Sequence, residues 1–288
     1  MLTCGSSMFA DSSNPSPILC APLLRQVDEQ LIDLLGSLTP GEWDLQTIAP
    51  LWKVRDVAAH LLDTVLRKLS MARDGCYVET VDIRSPQELI AFVNRLNREG
   101  VTVYRRLSPK VLIPMMREAC EQGARFHESL DPFAPAAFAV SWAGETISLN
   151  WFDTARELTE RWHHQQQIRL ATNRAGLMTP EVYRPVLECF VRGLPHAFRD
   201  VEASPGTLVV LKISGECGGR WFLSRSLTAW RLAEPSEGEF ACVVTIPQEL
   251  AWRVFTKGID RDSARARIDI EGNPALGEKV LQMTAIVG

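Results

Sequence analysis

The chain has 288 residues, 46 % of them hydrophobic and 23 % charged, with a formal net charge of −4. That is the make-up of a globular protein with a sizeable core, and the length favours two domains over one. The acidic balance offers no field for a phosphate backbone, and no apolar run approaches the roughly 20 residues of a membrane span. No basic stretch followed by an apolar one marks a signal peptide, so neither nucleic acid nor a membrane is an expected partner.

Residues 1–20, rich in Ser, Asn and Pro over Met1 to Pro17, read as a disordered tail. Ala21 to Leu38 carries Leu24, Val27, Leu31, Leu34, Leu35 and Leu38 at helical spacing and stops at Thr39-Pro40-Gly41. A second helix is predicted from Val54 to about Arg73. A third starts at Ser85-Pro86-Gln87-Glu88, where Ser85 can cap and Glu88 occupies the capping-box position. Ser108-Pro109 opens a fourth towards Leu130 with a kink expected at Pro114, Asn150 precedes a fifth to Ala171, and Thr179-Pro180-Glu181 starts a sixth. Up to about Asp200 the chain is all-helical.

Beyond that point the period changes. Thr207 to Ile213, Arg220 to Ser226, Phe240 to Ile246 and Ala266 to Glu271 are strand-length runs between turn residues, and Pro247 to Thr256 and Pro274 to Ile286 read as helices. The expected architecture is a helical bundle over 21–200 and a small α+β domain over 201–288, with Ala203-Ser204-Pro205-Gly206 as the boundary.

Seven cysteines (Cys4, Cys20, Cys76, Cys120, Cys189, Cys217 and Cys242) are odd in number and never form Cys-x-x-Cys. They read as free, mostly buried thiols in a reducing cytoplasm. If thiol chemistry occurs, the sulfur arrives on a small molecule.

The residues that carry chemistry are His60, in Trp52-Lys53-Val54-Arg55-Asp56-Val57-Ala58-Ala59-His60, and Glu160 and His164, in Glu160-Arg161-Trp162-His163-His164. Positions four apart share a helix face, so Glu160 and His164 can grip one ion, and His60 from another helix completes a set of two imidazoles and one carboxylate. Such a set leaves zinc an open position for water or sulfur. His163 lies about 100° round the helix from His164 and cannot share that ion. Val54, Val57, Ala58, Leu61, Leu62, Val65 and Leu69 form the core stripe of their helix, and His60 falls outside it with Asp56 and Thr64. Glu160 and His164 lie opposite the stripe Trp151, Ala155, Leu158 and Trp162, which also fits a solvated surface pair. Ligands on polar faces need a cover, and the second domain is the available one. His163, His127 and His196 read as structural.

At these residues the sequence resembles a known family. Trp43 after Leu38-Thr39-Pro40, the run Pro50 to Leu61 and the Glu160 to Ile168 helix are similar to the two motifs of mycothiol-dependent maleylpyruvate isomerase and its relatives in the DinB/YfiT-like superfamily. Gly218-Gly219-Arg220-Trp221 and Ile268 to Asn273 resemble that family's sterol carrier protein 2-like domain. The resemblance implies a divalent ion, usually zinc, held by His60, Glu160 and His164, and a low-molecular-weight thiol cosubstrate used in S-transfer or cis–trans isomerisation of a small molecule. Many relatives carry Asp where Gln167 stands. Arg220 is the candidate catalytic residue, holding a carboxylate substrate through its bidentate guanidinium. The competing readings are a metal-dependent hydrolase and a non-enzymatic metal or small-ligand binder.

Overall fold

The computed structural model describes residues 16–79, 81–234 and 238–286. Residues 1–15 of the expected tail, with Cys4, lie outside the described residues, while Ile18 and Cys20 are buried in the core.

Helix α1 spans Ala21–Gly36 and buries the stripe Leu24, Val27, Leu31, Leu34 and Leu35. Helix α2, Val54–Lys68, runs into a π-helical turn, Leu69–Arg73. In α3, Pro86–Tyr104, Ser85 Oγ accepts from the Glu88 N–H at 3.2 Å. The Glu88 carboxylate accepts from the Arg84 N–H at 2.7 Å, so only half of the expected reciprocal box forms at Ser85. Helix α4 is Pro109–Ser129, with Pro114 inside it, and α5 is Asn150–Ala171. Helix α6 is Pro180–Val191, and the short α7 is Leu194–Ala197.

The remainder gives β1 (Leu208–Ser214), β2 (Gly219–Arg225), β3 (Trp230–Ala233), β4 (Cys242–Pro247), α8 (Gln248–Phe255), α9 (Arg261–Arg265), β5 (Asp269–Gly272) and α10 (Pro274–Leu281). Sheet order is β3-β2-β1-β4-β5, with β1 and β4 parallel and the other neighbours antiparallel. Strand β3 was not expected from sequence. Its four residues alternate in burial and pair only with β2, too short a run to show a period. The strand expected from Ala266 starts at Asp269, because Asp260 Oδ1 accepts from the Ser263 N–H at 2.9 Å and caps α9 just ahead of it.

Apolar side chains form two cores. One lies inside the bundle, from α1, α2, α4 and Ile168 of α5. The other joins the start of α1, α5, α6, the sheet, α8 and α10, so the interior is continuous across Ala203–Gly206. Helix α5 is shared by both and buried on nearly every side, including Arg161, His163, His164, Gln165, Gln166 and Gln167. The surface-pair alternative for Glu160 and His164 therefore does not apply: His164 is buried and Glu160 is part-buried.

Charges inside the protein hold α5 in register. Lys68 of α2 pairs with Asp153, Arg156 donates to Asp153 at 2.8 Å and to Glu157 at 3.3 Å, and Arg161 pairs with Glu157 and with Asp28 of α1. Cations and anions balance along this chain of pairs, the condition under which buried charge is tolerated. On its other side Trp162 stacks on Tyr183 of α6 at 4.3 Å and meets Trp252 of α8 edge-on at 6.0 Å.

Candidate metal centre and its cavity

His60 stands on α2 two turns from its start, where Asp56 accepts from the Lys53 N–H at 3.0 Å and forms an ion pair with Arg105, the residue closing α3, at 3.0 Å. This clamp fixes the first turn of α2 and with it the direction of His60. Glu160 and His164 come from successive turns of α5, with Glu160 Oε2 3.5 Å from His164 Nε2. The His60 and His164 rings meet edge-on with centroids 4.6 Å apart, and Trp52 lies 4.6 Å from His60 and 5.8 Å from His164. One ligand atom from each of His60, Glu160 and His164 lies within 4.8 Å of the others. Small side-chain rotations close that separation to two bonds of about 2.0–2.2 Å to a shared ion.

The donor set fits a divalent ion in its protonation as well. The His164 Nδ1–H donates to Gln167 Oε1 at 3.0 Å, which fixes the tautomer and leaves Nε2 towards Glu160. His60 Nδ1 is buried and makes no hydrogen bond among the described residues. Burial, reinforced by His164, pushes His60 well below the ordinary imidazole value, so the ring is neutral. Burial alone would raise the Glu160 carboxyl. The contacts with His164 and His163 and the charge of Arg156 overcome it and hold Glu160 down at about 2.

The trio forms part of the floor of a cavity of about 1060 Å³. Its cover differs from the expected one. Helix α3 and the Phe138–Trp142 stretch supply most of it, and the carboxyl-terminal half adds Thr256, Lys257, Gly258 and Ile286 at one side. The physical reason is that α3 lies along α2 and turns Leu89, Phe92, Val93 and Leu96 to the cavity, while only four residues of the carboxyl-terminal half reach it.

His163 also lines this cavity. Its Nδ1–H donates to Thr159 O at 2.9 Å, and burial pushes its pKa down to about 3. The group of possible ligands that converges does not include it, and nothing in the sequence signalled that the whole circumference of α5 is enclosed. Arg156 reaches the cavity too, and its only sequence signal was its position four residues before Glu160. His127 lies elsewhere, buried against Thr154, and His196 is half-buried beside Gly144. Arg220 is not brought to the trio. It is exposed on β2, outside the residues lining the cavity, with its guanidinium over Phe222 at 5.4 Å and Phe240 at 6.0 Å.

A helical bundle whose central helix offers Glu and His to a His from a second helix, joined to a small α+β unit, defines a class of protein with a candidate metal centre in a large cavity. Residues 24–169 match the mycothiol maleylpyruvate isomerase N-terminal domain, about half of the chain, and the chain belongs to that family. The crystal structure of the mycothiol-dependent maleylpyruvate isomerase is similar in fold, with a TM-score of 0.50 and 13 % identity over 83 % of this chain and 88 % of that one. A histidine-to-alanine mutant of that isomerase gives a TM-score of 0.49 and 12 % identity over the same shares, 83 % and 88 %. A UbiJ-SCP2 ubiquinone synthesis protein aligns over 35 % of this chain and 95 % of its own, with 10 % identity and a TM-score of 0.26. No curated protein matches the sequence.

Proposed function

We propose that this protein is a divalent-metal-dependent enzyme, with zinc as the metal, that uses a low-molecular-weight thiol to isomerise a substrate with an activated double bond or to transfer sulfur to it. The observation that carries the reading is the convergence of His60, Glu160 and His164 at the floor of a large cavity, in a chain of this family. A divalent ion there would lower the pKa of a thiol enough to ionise it near neutral pH.

The chain's own residues supply the rest. Gln167 holds His164 in one tautomer, the clamp at Asp56 aims His60, and Trp52 covers both rings from the cavity side. None of the described cysteines lines the cavity. Cys20, Cys120, Cys189, Cys217 and Cys242 are buried, burial pushes Cys20 up to about 12 and Cys242 to about 11, and the exposed Cys76 lies outside the residues that line the cavity.

In the isomerisation, the cosubstrate thiolate adds to one carbon of the double bond. A C–S bond forms and the π electrons move onto the conjugated carbonyl. Rotation follows about the bond that is now single. The electrons then return, the C–S bond breaks and the thiolate is released unchanged, so no proton or electron is consumed. Transfer differs in its end: a leaving group departs in place of the sulfur.

The test is turnover of a cis-configured, carbonyl-conjugated double bond on an alkyl or aryl body, and of a chromogenic aryl halide, each with mycothiol, in metal-loaded and chelated protein. Omitting either thiol or metal should lower the rate at least about tenfold, since an unassisted thiol is only a few per cent ionised near pH 7. Full metal-dependent turnover in thiol-free buffer would refute this reading in favour of a hydrolase.

A further inference from the structure

The two sides of the cavity differ in chemistry. The floor, from α2 and α5, carries His60, Glu160, His163 and His164 with the cations Arg67, Lys68 and Arg156. The wall opposite, from α3, carries Leu89, Phe92, Val93 and Leu96, which recur at i, i+3, i+4 and i+7 and so form one continuous stripe. A stripe of this kind on a surface helix ordinarily packs into a core. Here it belongs to neither core, and only Gly100 and Val101 of α3 are buried. The four side chains remain part-exposed and face the empty space, and Met71, Ile83 and the 90 % exposed Leu51 continue the apolar lining.

Most of the cations lining the cavity are already matched. Arg67 pairs with Asp63 at 2.7 Å, Lys68 and Arg156 pair with Asp153, and Arg105 pairs with Asp56 at 3.0 Å. Arg98, on the edge of α3, lines the cavity without a carboxylate partner among the described residues. A short diacid would leave the α3 stripe in contact with water and find most of the cavity's arginines occupied. A molecule with a long apolar body would cover the stripe and gain the free energy of that burial.

We infer that the substrate of the proposed thiol chemistry is an electrophile carrying its activated double bond on an extended alkyl or aryl body, with one anionic end, lying along Leu89, Phe92, Val93 and Leu96. The inference rests on the thiol-dependent reading for the reaction. It stands on the wall alone for the ligand's shape and polarity.

Binding tests it without turnover. The probe is 11-(dansylamino)undecanoate, titrated into chelator-treated protein and followed by its fluorescence, so the result does not depend on whether the metal site is real. One saturable site is expected, emptied by dodecanoate and not by maleate at the same concentration. Phe92→Asp should weaken the probe about tenfold or more, because it places a charge in the middle of the apolar wall. Since Phe92 lies outside both cores, the variant should fold, with an unchanged circular dichroism spectrum. Val93→Thr, nearly isosteric, should weaken the probe less but in the same direction. Absence of a saturable site, displacement by maleate as effective as by dodecanoate, or undiminished affinity in a folded Phe92→Asp or Val93→Thr variant would each overturn the inference. Loss of thiol dependence in the turnover assay would instead remove the proposed reaction and leave the apolar wall standing.

Discussion

His127 sits outside the cavity, buried with Nδ1 sharing a hydrogen bond with Thr154 Oγ1 at 3.0 Å, and burial pushes its pKa down to about 4. Glu157 and Asp153 pull the other way, and Lys68 and Arg161 add to the depression. Above the ordinary value of 6.5 the ring is neutral in folded and unfolded chains alike. As pH falls from there towards 4, the unfolded chain takes up a proton that the folded one refuses, and stability drops by an amount on the order of 3 kcal/mol. Asp28, raised by burial to about 6, opposes this in part, since its folded form protonates first. Urea unfolding of the wild type and of His127→Gln at pH 7 and pH 4.5 isolates the histidine. The variant should lose less stability than the wild type on acidification; equal losses would contradict the assignment. At this scale the pairing of Glu160 with His164 was legible because a helix puts residues four apart on one face, while His60, on another helix, was reached only through its motif. Gln167 was noticed only as a departure from the family pattern, and its contact with His164 depends on rotamers no spacing specifies. Arg220 stood in a motif of the right chemistry, but its strand presents it to solvent over two phenylalanine rings.

Helix α3 approaches α2 closely at Gly100, where a Cβ would run into the Asp63 carboxylate. That carboxylate holds Arg67 at 2.7 Å, and Arg67 donates to Asn97 of α3 at 2.7 Å, so one glycine permits a bridge that sets the distance between floor and wall. Gly100→Ala should displace Asp63 at a cost of about 1–3 kcal/mol, offset in part by about 1 kcal/mol of helix propensity. The net effect is a fall in Tm of roughly 2–4 °C, checked by a thermal melt; an unchanged or higher Tm would show that Asp63 yields freely. The helices were legible as elements because of their apolar stripes and the prolines that open α1, α3, α4 and α6. The π-helical turn at Leu69–Arg73 and the short α9 were not, since neither has a sequence period of its own. Helix α5 misled in a different way. Its polar residues suggested one wet face, but they are consumed by internal ion pairs and by the cavity, so a polar helix became the most enclosed one in the bundle.

Across the molecule, α5 is the member that joins everything else: paired with α1 and α2 through buried charge, stacked on α6 and α8 through Trp162, and carrying Glu160 and His164 between them. The order of a helical bundle followed by an α+β unit was legible from the change of hydrophobic period near Asp200. How the parts cover the site was not, because cover depends on where α3 comes to rest and not on any local pattern. The central claim is that this arrangement exists to hold one ion. Elemental analysis of metal per chain, on wild type, His60→Ala, Glu160→Gln and His164→Ala after dialysis against metal-free buffer, tests it directly. The account predicts about one divalent ion per wild-type chain and loss of most of it in each variant, because two remaining ligands bind far more weakly than three. Metal content unchanged in both His60→Ala and His164→Ala would contradict it.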